Sequence, residues 1–310
     1  MTEKTELTQA AAEDASRPKR GPGRPPKKQP APVLEKRGVV LNPSDPSNRL
    51  ELTYSDPSMV KSLFAYFNNL KAVNIYMRCS RDKITFFTRD GGGANRVTAE
   101  IPGAQMNHFY CDGEFWLGLH RENVERIFSS IDKSFYKITF LHRHDDPDTL
   151  EVIFKDADIN KECRYKISVS TLDRDEELFA AESLTGPKTL AKSPLHFRLS
   201  AKQFKKTVSD SVNLTSTLTF EKLGLSPLRF SYEQVGLHYK EIYNSPDLID
   251  LHSAVGKETA FRRTVALANI KSLATAMVTD SVRIMFIRDK YIVLRSEVEA
   301  LVLNTVVLSE

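Results

Sequence analysis

Hydrophobic and polar residues alternate along most of the chain after residue 48, and this alternation predicts strands. Arg49–Tyr54 alternates with a period of two, and the later segments are rich in β-branched and aromatic residues. In the first part of the chain the predicted strands are Arg49–Tyr54, Asn74–Ser80, Lys83–Arg89, Arg96–Ile101, Phe115–Leu119, Phe135–Leu141, Thr149–Phe154 and Tyr165–Val169. In the second part they are Leu195–Leu199, Leu218–Glu221, Leu228–Tyr232, Leu237–Tyr243, Arg263–Leu267, Val282–Ile287, Tyr291–Arg295 and Leu301–Leu308.

Four segments have apolar residues three and four positions apart, the spacing of a helix with one buried face. They are Pro57–Leu70, Arg121–Asp132, Ala201–Val212 and Asn269–Val278. In the second of them the buried face is predicted to hold Val124, Ile127, Phe128 and Ile131.

The order of these elements repeats on either side of Leu172–Pro194, which predicts an internal duplication. Both parts follow the order β-α-β-β-β-β-α-β-β-β. The sequence therefore predicts an α+β fold of two domains, each an antiparallel sheet with its helices on one face. The predicted divisions are a tail at 1–48, a first domain at 49–171, a surface linker at 172–194 and a second domain at 195–310.

The composition is that of a soluble globular protein, with 41% apolar and 27% charged residues in a chain of 310. No apolar run is long enough to cross a membrane, and the first residues lack the pattern of a secretory signal. The three cysteines, Cys79, Cys111 and Cys163, are odd in number and widely spaced, which indicates free thiols inside a cell.

The charge is distributed unevenly. The chain has 44 basic and 40 acidic residues, a net charge of +4, and residues 1–37 alone hold nine basic and five acidic residues. Together with Lys71 and Lys133, which directly follow two of them, the four predicted helices carry nine basic and four acidic groups, a net charge of +5, so the rest of the body is acidic. A basic helix face rich in Ser, Asn and Ala suits contact with phosphates. The alternative is that these lysines form an ordinary solvated surface.

The tail contains a basic segment with prolines and glycines that exclude a helix. Its core, Gly23-Arg24-Pro25, resembles the AT-hook peptides, which place arginine in the narrow minor groove of A·T-rich DNA, although Pro22 stands where those peptides have a second arginine. The candidate DNA-binding residues of the tail are Lys19, Arg20, Gly23, Arg24, Pro25, Lys27 and Lys28. The alternatives are a nuclear-import signal and a solvated basic tail.

Catalytic and metal sites are not indicated. His142–Asp148 contains possible metal ligands, but its Asp-Pro sequence is typical of a turn. Gly91-Gly92-Gly93 does not lead into a helix with Lys-Ser/Thr, so it predicts a hairpin rather than a phosphate loop. No Gly-x-Ser-x-Gly nucleophile motif occurs. Trp116 is predicted to lie in the core. We therefore expect no catalytic residue, no metal and no cofactor.

Four segments carry a resemblance to a known family: Phe109-Tyr110-Cys111-Asp112, Leu117-Gly118-Leu119, Asp148-Thr149-Leu150 and Tyr165-Lys166-Ile167-x-Val169. Together they resemble PCNA, the ring-shaped sliding clamp of eukaryotic DNA replication, over about residues 49–308. Ile75-x-x-Arg78-Cys79 and Lys271–Asp280 carry a closer resemblance to the PCNA-like proteins of African swine fever virus and related large DNA viruses.

The resemblance implies a ring-forming, duplicated clamp fold: a homotrimer whose helices line a channel around double-stranded DNA. By correspondence the DNA-facing residues are Lys61, Lys71, Arg126, Lys202, Lys205, Lys206 and Lys271. Ring closure would pair edge strands of neighbouring subunits through Thr149, Leu150, Val152 and Phe154 on one side and Leu237, Tyr239 and Tyr243 on the other.

The implied function is that of a processivity factor, which tethers DNA polymerase and other replication proteins by peptides that dock beneath the linker. Such a protein would act in the nucleus or at a viral replication site in the host cytoplasm. Two alternatives stay open: a monomeric or dimeric DNA-binding polymerase subunit of the same fold, and an AT-hook-type architectural DNA-binding protein.

Overall fold

The computed structural model describes residues 38–131, 134–157, 161–170, 176–234, 236–244, 248, 250–254, 260–288, 290–298 and 301–308. All candidate residues of the tail, from Lys19 to Lys28, lie outside these ranges. The first half contains β1 (Asn48–Tyr54), α1 (Pro57–Asn69), β2 (Asn74–Cys79), β3 (Lys83–Arg89), β4 (Arg96–Pro102), β5 (His108–Cys111), β6 (Phe115–His120), α2 (Arg121–Ser129), β7 (Phe135–Arg143), β8 (Thr149–Asp156) and β9 (Glu162–Ser168).

Two helices follow, α3 (Glu176–Thr185) and α4 (Pro187–Leu190). The second half contains β10 (Leu195–Ser200), α5 (Ala201–Val212), β11 (Thr217–Leu223), β12 (Leu228–Gln234), β13 (Leu237–Tyr243), β14 (Asp250–Ser253), β15 (Ala260–Ala266), α6 (Leu267–Ala276), β16 (Ser281–Ile287), β17 (Tyr291–Val298) and β18 (Leu301–Leu308). The two halves therefore have the same order of elements, which confirms the duplication. Each has one strand that the sequence pattern did not predict, β5 and β14, at the same place in the repeat.

The strands form three antiparallel sheets. A five-stranded sheet in the first half has the order β5-β1-β7-β8-β9, and a four-stranded sheet in the second half has the order β13-β12-β11-β15. The third sheet, β14-β10-β16-β17-β18-β4-β3-β2-β6, has nine strands and joins the two halves. They meet where β18 pairs with β4, with Leu303 opposite Ala99 and Thr305 opposite Val97. We call this pairing the seam.

The helices lie on the sheets through an aromatic core. In the first half the ring of Phe64 contacts those of Phe67, Phe86 and Phe128. The corresponding core of the second half holds Phe197, Phe220, Phe230 and Phe286. At the seam the hydroxyls of Tyr66 and Thr305 are 2.9 Å apart, which links α1 to a strand of the other half.

The structure differs from the sequence prediction at the linker and at Trp116. The linker, for which no helix was predicted, contains α3 and α4. Trp116 is 39% exposed rather than in the core. Its ring contacts Phe87 and, at 4.6 Å between ring centroids, Phe179 of α3. The strand places alternate residues on opposite sides of the sheet, so Trp116 faces the linker while Phe115 and Leu117 face inward.

Candidate nucleic-acid interface

The four amphipathic helices form one continuous layer. Helix α1 packs on α2, α5 packs on α6, and α1 and α6 pack on each other across the seam. The order in space is therefore α2-α1-α6-α5. The side-chain amide of Asn95 ties this arrangement together, since it donates to the Asp90 carboxylate and to the backbone carbonyl of Asn269 at the start of α6, both at 2.7 Å.

Helix α5 has the most strongly basic outer face. Ser200 caps its N-terminus by accepting from the backbone N–H of Gln203, and Phe204 and Val208 are 1% exposed against the sheet. Because the helical period turns the intervening positions outward, Lys202, Lys205 and Lys206 are exposed on the opposite face.

Six of the seven predicted channel residues are exposed, and none of the six forms an ion pair with any residue that the structure describes. They are Lys71, Arg126, Lys202, Lys205, Lys206 and Lys271. The seventh, Lys61, is half-buried, and its ammonium donates to the backbone carbonyl of Ile131 just beyond α2. That charge stabilises the packing of α1 on α2 and is not available as a free surface cation.

The first half has a more mixed surface than the second. The Asn68 amide donates to Glu125 at 2.8 Å and accepts from Arg121 at 3.3 Å, so these two charges on α2 share one neutral partner. Glu122 on α2 and Asp210 on α5 are exposed acidic groups within the layer. The free positive charge is therefore concentrated on α5.

Two open clefts of similar size lie at corresponding places in the two halves. The first, about 690 Å³, is lined by Lys71, His120 and Arg121 between the end of α1 and the start of α2. The second, about 680 Å³, is lined by Leu214 and Lys271 between the end of α5 and the start of α6. His120 and Arg121 were not among the predicted contact residues, although their place at the start of a helix beside Lys71 could have suggested them.

Of the two strands predicted to meet at the subunit interface, one is the edge of its sheet and the other is not. Strand β13 is a sheet edge, paired only with β12 among the described strands. Strand β8, which contains Thr149, Leu150, Val152 and Phe154, is an interior strand paired with both β7 and β9. Both its sides are already hydrogen-bonded, so it has no free backbone groups to offer a neighbour. The edge strand beside β8 is β9.

The inward face of β13 is organised around Glu241. Its carboxylate accepts hydrogen bonds from Thr207 of α5 at 3.0 Å, Tyr243 at 2.9 Å and Tyr239 at 3.2 Å. Burial and the Glu241 charge raise the pKa of Tyr239 to about 12. Leu237 is exposed and Tyr239 is half-buried, whereas Tyr243 is buried against Phe230.

The described ranges also bear on metal ions, membrane spans and thiols. No group of three or more His, Cys, Asp or Glu side chains there is placed to hold a metal ion. None of the described helices combines the length and the apolar composition needed to cross a membrane. Cys79, Cys111 and Cys163 are free thiols.

Comparisons with known proteins agree with the geometry. Residues 49–178 match the family described as the N-terminal domain of proliferating cell nuclear antigen. The chain is 45% identical over 293 residues to an uncharacterized protein of African swine fever virus, in isolates Pig/Kenya/KEN-50/1950 and Warthog/Namibia/Wart80/1980, covering 94% of this chain and 97% of each relative. The crystal structure of proliferating cellular nuclear antigen from Entamoeba histolytica superposes with a TM-score of 0.69 at 15% identity, over 85% of this chain and 99% of that one.

The duplicated fold with its four-helix layer is that of a sliding clamp, and the chain belongs to the PCNA-like family. Within that family it is a relative of the African swine fever virus protein along almost its whole length. The Entamoeba structure supports the fold alone.

Proposed function

We propose that three copies of this chain close into a ring around duplex DNA and act as a sliding clamp, a processivity factor with no catalysis of its own. One observation carries the proposal: the two strands that correspond in the repeat to the two strands of the seam are both edge strands of their sheets. By their place in the repeat, β9 corresponds to β18 and β13 corresponds to β4. Since β18 pairs with β4 inside the chain, β9 of one subunit can pair with β13 of the next in the same way.

If β9 of one subunit pairs with β13 of the next as β18 pairs with β4, the helix layer also continues from one subunit to the next. The seam brings α1 against α6, and their counterparts in the repeat are α5 and α2. Pairing β9 with β13 therefore brings α2 of one subunit against α5 of the next. Six similar halves then form an unbroken ring of helices, with the exposed cations of α5 and α6 towards the DNA.

The chemistry of this layer suits sliding rather than gripping. Lysine contacts to phosphates are independent of base sequence and exchange readily. No single contact has to be tight, because a closed ring stays on DNA by its topology. The tail supplies a second DNA contact in this proposal, and DNA polymerase and other replication proteins dock at the linker. The clamp acts where DNA is replicated, in the nucleus or at a viral replication site in the cytoplasm.

The seam also predicts the register between subunits. When its pairs are transferred through the repeat, Tyr165 lies opposite Tyr239 and Cys163 opposite Glu241, with all four side chains on the helix side of the sheet. Directly opposite residues of antiparallel strands are about 4.5–5.5 Å apart at Cα, within the range of a disulfide.

Mild oxidation of the Glu241→Cys variant tests this arrangement. We expect the native Cys163 to form a disulfide with Cys at 241 of the next subunit, which gives a covalent trimer on a denaturing gel and a mass of three chains by light scattering. The other two native cysteines are buried and do not compete. Ile242→Cys is the matched control, because its side chain lies on the opposite face of the same strand.

Loss of the Glu241 hydrogen bonds could disturb β13, so Tyr165→Cys/Tyr239→Cys tests the same register by a second pair. A concentration-independent monomer for the unmodified chain would overturn the ring. A trimer that crosslinks only through Ile242→Cys would retain the ring and overturn the register. Deletion of residues 1–37 separates the clamp from a tail-driven DNA-binding protein, since loading on circular DNA survives the deletion only in the first case.

A further inference from the structure

The outer edge of β5 in the first half is covered by a short segment that precedes β1. Gly38–Val40 lies beside β5 in a parallel bridge, with Val39 next to Phe109. The N–H of Phe109 donates to the Gly38 carbonyl at 3.0 Å, and the Phe109 carbonyl accepts from the Val40 N–H at 2.8 Å. Both outward backbone groups of Phe109 are therefore paired, and its side chain is fully buried.

Strand β14 is the counterpart of β5 in the second half. Each is the edge of its sheet beside the first strand of its half, since β5 pairs with β1 and β14 pairs with β10. Phe109 lies opposite Leu52 of β1, and Leu251 lies opposite Phe197 of β10. Leu251 is therefore the counterpart of Phe109 in the repeat.

The backbone groups of Leu251 point away from β10. Ala254 donates to the Pro194 carbonyl at 2.8 Å, and residues of antiparallel strands alternate between facing the partner strand and facing away from it. Ala254 and His252 therefore face β10, whereas Leu251 faces outward. Its N–H and C=O make no backbone hydrogen bond there with any residue that the structure describes.

The two halves differ at this edge because different segments precede their first strands. The residues before β1 return along β5. The residues before β10 belong to the linker, whose helices α3 and α4 lie against β3, β4, β18 and β16 instead. Among the described segments none lies along the outer side of β14. An open sheet edge of this kind can accept an extended segment of another chain.

The outer face of the sheet beside this edge has an unmatched positive charge. Arg198 of β10 lies between Asp250 of β14 and Arg283 of β16 in the register. The Asp250 carboxylate is 2.9 Å from the guanidinium of Arg283. Arg198 forms no ion pair within the described ranges, and its Nε is buried without a hydrogen bond. Like charges opposite each other disfavour a sheet, so this pair of arginines lacks a second carboxylate.

Two histidines extend the same face to β14. His196 and His252 lie opposite each other, and their rings stack with centroids 4.7 Å apart. Burial and the neighbouring His252 lower the pKa of His196, so its neutral form is favoured. The lasting positive charge of this face is therefore that of the arginines.

We propose that the β14 edge binds an extended acidic segment of a partner protein, which adds a parallel strand beside Leu251 as Gly38–Val40 does beside Phe109. The partner residue next to Leu251 is apolar, because Leu251 packs against the core and paired residues share a side of the sheet. The following partner residue lies beside His252 on the outer face, where its carboxylate can reach Arg198.

The charge of the edge excludes this chain's own tail as the preferred occupant. Residues 1–37 hold nine basic and five acidic residues, so they would add positive charge beside Arg198. The β14 edge lies within one subunit and corresponds to neither strand of the proposed subunit contact. The proposal therefore requires neither ring nor DNA.

Peptides of residues 38–44 are the probes, and the measurement is the NMR signal of the Leu251 amide in the leucine-labelled full chain. One peptide carries Val40→Glu, and the matched control carries Val40→Lys. We expect the first to shift the Leu251 signal saturably and the control to bind about fivefold or more weakly, because only a carboxylate pairs with Arg198. Neither peptide displaces Gly38–Val40 from β5, since that segment is covalently attached.

Arg198→Gln should remove the preference for the Val40→Glu peptide, and Arg198→Lys should retain it. Arg295→Gln is the matched control, because Arg295 lies opposite Arg283 in the same row but is ion-paired with Glu297. The absence of a saturable shift with the Val40→Glu peptide would overturn the proposal. Equal affinity for the two peptides, or a preference that survives Arg198→Gln, would overturn the acidic partner.

Other occupants give different results at the same signal. A change of the Leu251 signal on deletion of residues 1–37 would identify the tail as the occupant and overturn the partner. A change on dilution of the unmodified chain with its oligomeric state preserved would identify a second copy, with the same consequence. A chain that binds the Val40→Glu peptide but forms no trimer would retain the β14 site and overturn the ring.

Discussion

The seam and the two free edges occupy the same places in the repeat but differ in chemistry. Along β18 and β4 most side chains are buried, among them Val97, Leu303 and Thr305. Along β9 and β13 every second side chain is exposed, and Arg164, Lys166 and Lys240 are charged. One junction is part of a core, whereas the other is a pair of solvated strands.

The difference shows how one fold can provide both a permanent and a separable contact. Charged residues on a free edge disfavour uncontrolled pairing of strands between chains. The seam never needs such protection, because its partners are joined by the chain. In the proposed ring, this difference would make the subunit stable before it assembles and ring closure weaker than the seam.

The largest effect is expected when an aspartate is placed in the seam and, for comparison, at the corresponding position of a free edge. Val97→Asp places a carboxylate in the seam at a position that is fully buried, which costs about 3–5 kcal/mol in the free energy of unfolding. Tyr239→Asp, at the corresponding position of β13, leaves the subunit folded within about 1 kcal/mol and removes the trimer. Urea unfolding and light scattering measure the two effects.

Val97→Thr is the control for the seam, since it retains the size and shape of the side chain. A Tyr239→Asp variant as unstable as Val97→Asp would mean that β13 is part of the subunit core. A trimer unaffected by Tyr239→Asp would remove β13 from the interface.

The next largest effect concerns the helices that the junctions bring together. Reversal of Lys202, Lys205 and Lys206 to Glu should reduce the slope of log affinity against log salt by about 3 for each engaged chain, since each phosphate contact contributes about 0.9. Lys188, Lys192 and Lys290, which are exposed and outside the helix layer, provide the matched charge reversal. Lys61→Ala should weaken folding and leave the salt slope unchanged, because its ammonium is bound to the Ile131 carbonyl. An unchanged slope for the α5 variant would remove that helix from the DNA surface.

The sequence predicted the repeat and the buried helix faces because both depend on regular spacing. Phe204 and Val208 on α5 are buried and Lys202 is exposed, as the period of 3.6 requires. Local spacing also placed β13 as a strand at its observed bounds. Periodicity shows which side of an element is buried, and this was sufficient to predict which faces of the four helices are buried and which are exposed.

Periodicity says nothing about what lies beside an element, and the features that the sequence did not reveal are of that kind. Strand β8 has the pattern of a strand whether it is at an edge or in the interior, and only β9 on its far side decides. Lys61 has the sequence of a free surface lysine, but α2 places a carbonyl within its reach. Strands β5 and β14 have four residues each, too few for a periodic signal. Trp116 lies on the outer face of the sheet, where its ring contacts Phe179 of α3, a residue far away in the sequence.

The smallest expected effect tests the register in which the free edges pair. The transferred register places Lys240 opposite Arg164 on the outer face of the sheet, two like charges that disfavour closure. Lys240→Glu converts this pair to an attractive one and should strengthen trimer formation by about 0.5–1 kcal/mol, a two- to fivefold change in the dissociation constant. Arg164 already has ion pairs to Glu151 and Glu162 within its own sheet, which keeps the expected gain at the lower end.

Added salt should strengthen association of the unmodified chain and weaken that of the variant, because screening acts on a repulsion in the first and on an attraction in the second. Sedimentation at two salt concentrations separates these signs, and the same salt response in both chains would show that Lys240 and Arg164 are not neighbours.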